Sequence, residues 1–294
     1  MLIPEFYKDN LKPIISFEIF PPKTDRGMEN LQIVIPELIS LKPDFMTVTY
    51  GALGSTQERT LEIASRIKNQ YNMETACHLT CVGASRTELD HIIKRIYEAN
   101  IRNIVALRGD PPHGQETFVP PHDGLSRAHE LVKHIRQFEK KEGLEKFGIA
   151  VAGYPEKHLE AESMEKDIAN LKSKIEAGAD VIITQLFFEN KFFFNFINKV
   201  REAGINVPII PGLMPVLSVR QIQHITSMCG SSIPPRLQSE LNLAVDDDDK
   251  AQEIGVRQCI SQAKDLIAHG VKGIHFYVLN KTTHIRQIMD AIRS

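Results

Sequence analysis

Glu18 carries the sharpest chemistry in this chain. It stands inside an apolar run, Ile14-Ile15-Ser16-Phe17-Glu18-Ile19-Phe20, that stops at Pro21-Pro22. Such a run reads as a buried strand. A carboxyl buried without a cation has its pKa raised toward neutrality, which makes it a general acid at physiological pH. A salt bridge to Lys23 or Arg108 would lower the pKa instead, and both readings stand at this point. A second polar phrase closes another apolar run: Ile104-Val105-Ala106-Leu107 gives way to Arg108-Gly109-Asp110 and two prolines. Charges at the carboxyl end of a buried parallel strand are costly unless they face a cleft or pair with each other.

Other apolar runs end in the same way. Thr47 and Thr49, His78 and Thr80, Ala152 and Tyr154, Gln185, and His275 and Tyr277 fall toward the carboxyl ends of their runs. Side chains alternate faces along a strand, so each set shares a face. In the fourth run this parity sets Arg108 and Asp110 opposite Val105 and Leu107. A lone strand histidine or threonine is more often a hydrogen-bonded core residue; the joint pattern argues for a polar mouth.

The elements that must position these residues are eight strand candidates: Ile14–Phe20, Phe45–Tyr50, Glu74–Cys81, Asn103–Gly109, Gly148–Tyr154, Val181–Phe188, Val207–Leu213 and Gly273–Leu279. Helical patterns lie between them, which argues for βα units and an α/β fold. Eight units in 294 residues fit a single-domain (β/α)8 TIM barrel over 1–294, with an open doubly wound sheet as the alternative. Neither GxGxxG nor GxxxxGK[ST] is present. Ser55-x-x-Glu58 and Ser85-x-x-Glu88 read as capping boxes. Helix exits such as Glu98-Ala99-Asn100 and Glu176-Ala177-Gly178 supply the left-handed residue that ends a helix. Two stretches break the alternation: 111–124, read as a long loop, and 230–249, whose acidic run Asp246–Asp249 reads as a solvated helix start.

Composition narrows the class. The net charge of −2 gives no electrostatic footprint for nucleic acid or an anionic membrane. No apolar run approaches membrane-span length, and the amino terminus is not a secretory signal. Cys77, Cys81, Cys229 and Cys259 have neither CxxC nor zinc spacing, so no metal is expected and the thiols read as reduced, in a cytoplasmic protein.

Eight phrases in register then resemble the bacterial methylenetetrahydrofolate reductase family: Ser16-Phe17-Glu18-Ile19-Phe20-Pro21-Pro22-Lys23, Val48-Thr49-Tyr50-Gly51-Ala52, His78-Leu79-Thr80-Cys81, Leu107-Arg108-Gly109-Asp110, Ala152-Gly153-Tyr154-Pro155-Glu156, Thr184-Gln185-Leu186-Phe187-Phe188, Ile210-Pro211-Gly212-Leu213-Met214-Pro215 and His275-Phe276-Tyr277-Val278-Leu279-Asn280. The resemblance implies a flavoprotein oxidoreductase of one-carbon metabolism on an FAD-binding TIM barrel, without a C-terminal regulatory domain. It implies ping-pong hydride transfer from NADH or NADPH through flavin N5 to 5,10-methylenetetrahydrofolate, giving 5-methyltetrahydrofolate, and a homo-oligomer.

In this resemblance Glu18 matches the general acid that protonates folate N10, and Asp110 the aspartate near the flavin pyrimidine ring that also holds the pterin. Gln185 matches the folate-binding glutamine. Thr49, His78, Arg108, Gly109, Asp110, Ala152 and Tyr154 match flavin-contacting positions. So do Asp167, Asn170 and Lys174, which share one side of a helix at i, i+3 and i+7. Lys281, assigned to the substrate, replaces an arginine after the His-Phe-Tyr-x-Leu-Asn phrase. Val219 stands where the family has a stacking phenylalanine, and Arg127 where it has a flavin-contacting tyrosine. The Val219 and Arg127 departures keep open the same folate reduction fed by a partner electron donor; a non-catalytic flavin- or folate-binding barrel is a third reading, against which the presence of Glu18 argues.

Overall fold

The computed structural model describes residues 1–8, 12–50, 54–110 and 120–293, with the side chains of 54–57 left out. Eight parallel strands close on themselves in sequence order: β1 (Ile14–Ile19), β2 (Phe45–Val48), β3 (Thr75–Thr80), β4 (Asn103–Leu107), β5 (Gly148–Gly153), β6 (Val181–Leu186), β7 (Ile209–Leu213) and β8 (Gly273–Tyr277). β7 ends at Leu213 as expected, and each of the other seven strands stops one or two residues before its expected carboxyl end, where the chain turns into a loop. The closed barrel replaces the open-sheet alternative. β1 pairs with β2 and β8, and this sets Glu18 beside Thr47 on one side and Tyr277 on the other.

The helices form the outer layer: α1 (Asp25–Ser40), α2 (Gly54–Gln70), α3 (Arg86–Glu98), α4 (Ala128–Glu142), α5 (Met164–Glu176), α6 (Asn190–Glu202), α7 (Val219–Cys229), α8 (Pro235–Asn242), α9 (Asp248–Ala268) and α10 (Thr283–Arg293). Their apolar stripes pack on the outward strand residues; Phe17, Leu79, Ile104 and Phe276 are fully buried there. The Ser85 cap is formed as read: its hydroxyl accepts from the Glu88 amide, and the Glu88 carboxylate accepts from the Ser85 amide at 2.8 Å. Helix α2 begins at Gly54, so Ser55 lies within its first turn rather than at its cap, and its side chain is outside the described residues. The stretch 230–249 is more regular than expected. Pro235 opens α8, where a missing N–H costs nothing, and Asp247 caps α9 by accepting from the Lys250 amide. The 111–124 loop is described only from residue 120.

Inside the barrel, the amino end is filled by Ile14, Phe45, Ala76, Val105, Ala150 and Ile210. A short 3-10 helix, Ile3–Tyr7, packs its Ile3 and Phe6 under them. Asn103, fully buried at the start of β4, accepts from the Ile3 amide at 2.7 Å and donates to the Met1 carbonyl at 3.1 Å, which fixes that helix to the barrel floor. The four cysteines carry free thiols, and burial pushes Cys77 up to about 12 and Cys81 up to about 11. Thiols held so far from ionisation are packing groups, not nucleophiles. Among the described residues, no helix is long and apolar enough to cross a membrane.

One titration is built into this packing. His284, in the first turn of α10, is 4% exposed, and burial holds its imidazole down to about 4. The unfolded chain takes up a proton there near pH 6.5, so the stabilisation is complete above that pH and is lost as pH falls toward 4. The loss is expected to reach ~3 kcal/mol. Urea midpoints of wild type and His284→Leu between pH 7 and 4.5 check this: the variant should lose stability less steeply.

Candidate active site

The barrel is open at the carboxyl ends of its strands, into a cavity of about 1050 Å³. That volume is at the upper end for small-molecule sites and suits a large cofactor with a substrate. Glu18 lies on the floor of this cavity, with its side chain 15% exposed. One oxygen, Oε2, gathers its neighbours. Thr47 Oγ1 donates to it at 3.2 Å, and His275 Nε2 lies 3.1 Å away. His78 Nε2 is also 3.1 Å away, but its approach is off the line along which an N–H donates, so the contact is electrostatic. His275 is fully buried, and its Nδ1 meets Ser16 Oγ at 2.8 Å. The β1–β8 register, which pairs Ser16 with His275, makes this chain of contacts possible.

Burial pushes the Glu18 carboxyl up. His78 and His275 more than offset that and hold it well below the usual carboxylate range. The partners are imidazoles rather than the expected Lys23 or Arg108. Lys23 is exposed. Arg108 pairs instead with Glu160 through two hydrogen bonds of 2.5 and 2.7 Å. The raised carboxyl pKa is therefore corrected: unpaired burial would have produced it, and the carboxylate is paired.

Tyr277 completes the floor. Its ring packs edge-on against His275 with centroids 5.2 Å apart, and its hydroxyl donates to the Thr184 carbonyl at 2.7 Å. It lies across Gly212, where an added Cβ would stand 2.2 Å from the Thr184 carbonyl oxygen and 2.8 Å from the tyrosine ring. Only glycine leaves room for that crossing.

The parity argument fails in β4. Val105 and Leu107 are the inward residues, packed with the barrel interior, so Arg108 would point outward if the strand continued. It does not continue. Gly109, at φ 90°, turns the chain, and a Cβ there would meet Val82 Cγ1 at 2.4 Å. Arg108 and Asp110 thus reach the rim through the loop. On the same side, α5 presents Asp167, Asn170 and Lys174 to the cavity. Lys174 donates to the Ala152 carbonyl at 2.9 Å and lies 5.7 Å from the Tyr154 ring centroid. Burial lowers its pKa to about 8, against the pull of Asp167. Asp167 is itself tied down by accepting from the His158 amide at 3.0 Å.

The cavity brings together Glu18, Thr49, His78, Arg108, Gly109 and Asp110 with Ala152, Tyr154, Asp167, Asn170, Lys174 and Gln185. Lys281 is exposed and is not among the residues that line this cavity, although Leu279, two residues before it, is. Val219 is 1% exposed and packs with Leu186, Met214 and Ile222, behind the wall rather than in it, whereas Arg127 does line the cavity. Gly51 and Ala52 lie outside the described residues. Sequence reasoning left out His158 and Glu160, which line the mouth from a loop where strand periodicity gives no signal, while Phe20, read into the first strand on the face of Glu18, lines the cavity just beyond the end of β1. It noted the alternation of Thr80 and Tyr277 but gave neither a role.

The fold and site define a class: a (β/α)8 barrel whose mouth sets a carboxylate–imidazole cluster against a basic wall. The sequence model of the family described as methylenetetrahydrofolate reductase matches residues 5–293, and the chain belongs to that family. It is 43% identical over 274 residues to "Methylenetetrahydrofolate reductase (NADH) 1" of Arabidopsis thaliana, covering 90% of this chain and 46% of that protein. It is 38% identical over 267 residues to the 5,10-methylenetetrahydrofolate reductase of Escherichia coli, covering 91% and 86%. The chain thus spans about half the length of the plant relatives and most of the bacterial one. Among solved structures, an uncharacterised Clostridium thermocellum protein that binds two copies of 5-methyl-5,6,7,8-tetrahydrofolic acid shares the fold, with a TM-score of 0.61 at 17% identity over 96% of this chain and 94% of that one.

The lowered Lys174 pKa has a measurable consequence. An anion bound beside Arg108 and Lys174 favours the charged amine, so binding near pH 8 takes up a proton. Calorimetry with ADP in buffers of different ionisation enthalpy should detect uptake of roughly half a proton. Lys174→Met should abolish that uptake and weaken binding.

Proposed function

We propose that this chain reduces 5,10-methylenetetrahydrofolate to 5-methyltetrahydrofolate, with FAD held in the barrel mouth and NADH or NADPH as donor. The observation that carries the reading is a buried carboxylate wired to two histidines on the floor of a cavity whose rim also holds Asp110 and Gln185, in a member of this family.

The residues suit FAD by their chemistry. Arg108 supplies a permanent positive charge for phosphate, and Lys174 an amine whose charged form a bound anion would favour; Asp167 and Asn170 are partners for ribose or adenine polar groups; Tyr154 and Leu107 give apolar wall. Bound there, a flavin supplies the relay of a hydride between nicotinamide and folate. The protein must first deliver a proton to folate N10, so that the five-membered ring opens to a 5-iminium cation. Glu18 is the acid. Its resting carboxylate sits beside imidazoles, and a protonated imidazole next to a carboxylate holds the same proton as a neutral imidazole next to a carboxylic acid. His275 and Glu18 exchange that proton over 3.1 Å, while Ser16 fixes the far ring nitrogen. The carboxylate left behind then faces the cation it helped create. Gln185 and Asp110 orient the pterin, and Thr49, His78 and Gly109 border the flavin.

Glu18→Gln tests the assignment. Under anaerobic conditions NADH should bleach the flavin band of the variant at close to the wild-type rate. Reoxidation by methylenetetrahydrofolate should fall at least 100-fold, in the range typical of losing a general acid. Unchanged folate turnover would remove Glu18 from the chemistry. In the wild type, flavin that ignores NADH yet is reoxidised by the folate after chemical reduction would favour a partner electron donor.

A further inference from the structure

The β3 strand places in the cavity wall a hydroxyl that no described residue satisfies. Thr80 is 6% exposed, it lines the cavity, and among the described residues its Oγ1 has no hydrogen-bond partner. A buried hydroxyl with no partner costs on the order of 1–3 kcal/mol, and folded proteins rarely keep one without a use. Two other strand threonines, Thr47 on the inner face of β2 and Thr184 on the outer face of β6, contrast with it. Thr47 Oγ1 donates to Glu18, and Thr184 Oγ1 accepts from the Gly212 amide at 2.9 Å. The side chain of Thr80 is also confined: its Cβ lies 3.0 Å from where a Cβ on Gly109 would stand, so it packs against the turn that carries Arg108 and Asp110.

We infer that Thr80 is a cofactor-binding residue whose hydroxyl is completed by a hydrogen bond from or to the ring-and-ribityl half of the flavin. This rests on the flavin reading above. The choice of half follows from position. Thr80 is the next inward residue after His78, about 7 Å further up the strand, and His78 touches the Glu18 carboxylate. The groups suited to phosphate, Arg108 with Glu160 and Lys174, belong to the loop beyond β4 and to α5. Thr80 therefore lies between the Glu18–His78 cluster and the turn that carries Arg108 and Asp110, which is where a flavin whose ring reaches the cluster would carry its ring carbonyls, ring nitrogens and ribityl hydroxyls. A threonine hydroxyl both donates and accepts, so it can meet any of these.

The test uses two near-isosteric variants of the full chain, freed of flavin and titrated by fluorescence quenching. Thr80→Val keeps the shape and deletes the hydroxyl; Thr80→Ser keeps the hydroxyl. For Thr80→Val the dissociation constants of FAD and riboflavin should rise by about 10-fold, the equivalent of one hydrogen bond to a buried group. The affinity for ADP should stay at the wild-type value, and Thr80→Ser should stay near wild type for all three. The flavin-free Thr80→Val protein should melt at or above the wild-type temperature, since an unsatisfied hydroxyl has been removed. A purely structural threonine would instead lower the melting temperature and leave flavin affinity alone. Unchanged FAD affinity in Thr80→Val, or an equal loss for ADP, would overturn the inference while leaving the flavin reading intact. A wild-type protein that takes up no FAD would overturn both.

Discussion

A carboxylate inside a barrel is the constraint around which this structure is arranged. Glu18 lies on a strand with apolar neighbours on its outward face, in a place where an isolated charge would cost more than the fold could bear. The cost is offset by contacts from three other strands: Thr47 on β2, His78 on β3 and His275 on β8. Those contacts need the barrel closed, because β1 meets β8 only when the sheet joins its own edge. Closure and the ionised floor are therefore one fact seen at two scales. Gly212 belongs to the same arrangement, since its missing side chain lets Tyr277 lie over His275.

Above that floor the mouth is electrically divided. The carboxylate–imidazole cluster is at the base of β1, β3 and β8, while Arg108 and Lys174 stand on the β4–β5 side. Arg108 is held through two hydrogen bonds by Glu160, so its guanidinium is oriented before any ligand arrives. Lys174 pays for its burial with a lowered pKa and a carbonyl contact. The two cations gain most from an anion. The cluster at the base gains most from a group that takes a proton and becomes positive. A site with these two preferences suits a ligand pair in which one member carries phosphates and the other passes through a cation.

Much of this was legible in the chain. Eight apolar runs separated by helical patterns gave the barrel, and the residues Glu18, His78, Gln185 and Tyr154 sit where strand alternation puts them, facing inward near the carboxyl ends. What alternation could not supply were relations between strands. The imidazole partners of Glu18 come from positions 60 and 257 residues away, and only the register of the closed sheet brings them to one oxygen. Arg108 and Asp110 were read into the mouth by a parity argument that the structure reverses. They arrive there because Gly109 turns the chain. Lys281 follows a strand phrase, but it stands in the loop beyond it, where strand alternation no longer sets the direction of a side chain, and it is exposed. Loop residues such as Glu160 carry no periodic signal, so their part in the mouth had no mark in the sequence.

The floor beneath the site has its own consequence. The first residues of the chain, tied to Asn103, fill the amino end of the barrel with Ile3 and Phe6, so the described cavity communicates with solvent on one side. Everything that enters must leave by the same doorway. Under the proposed reaction, a donor and an acceptor would both have to reach the cofactor from the strand carboxyl ends, and the departure of one would be the admission of the other.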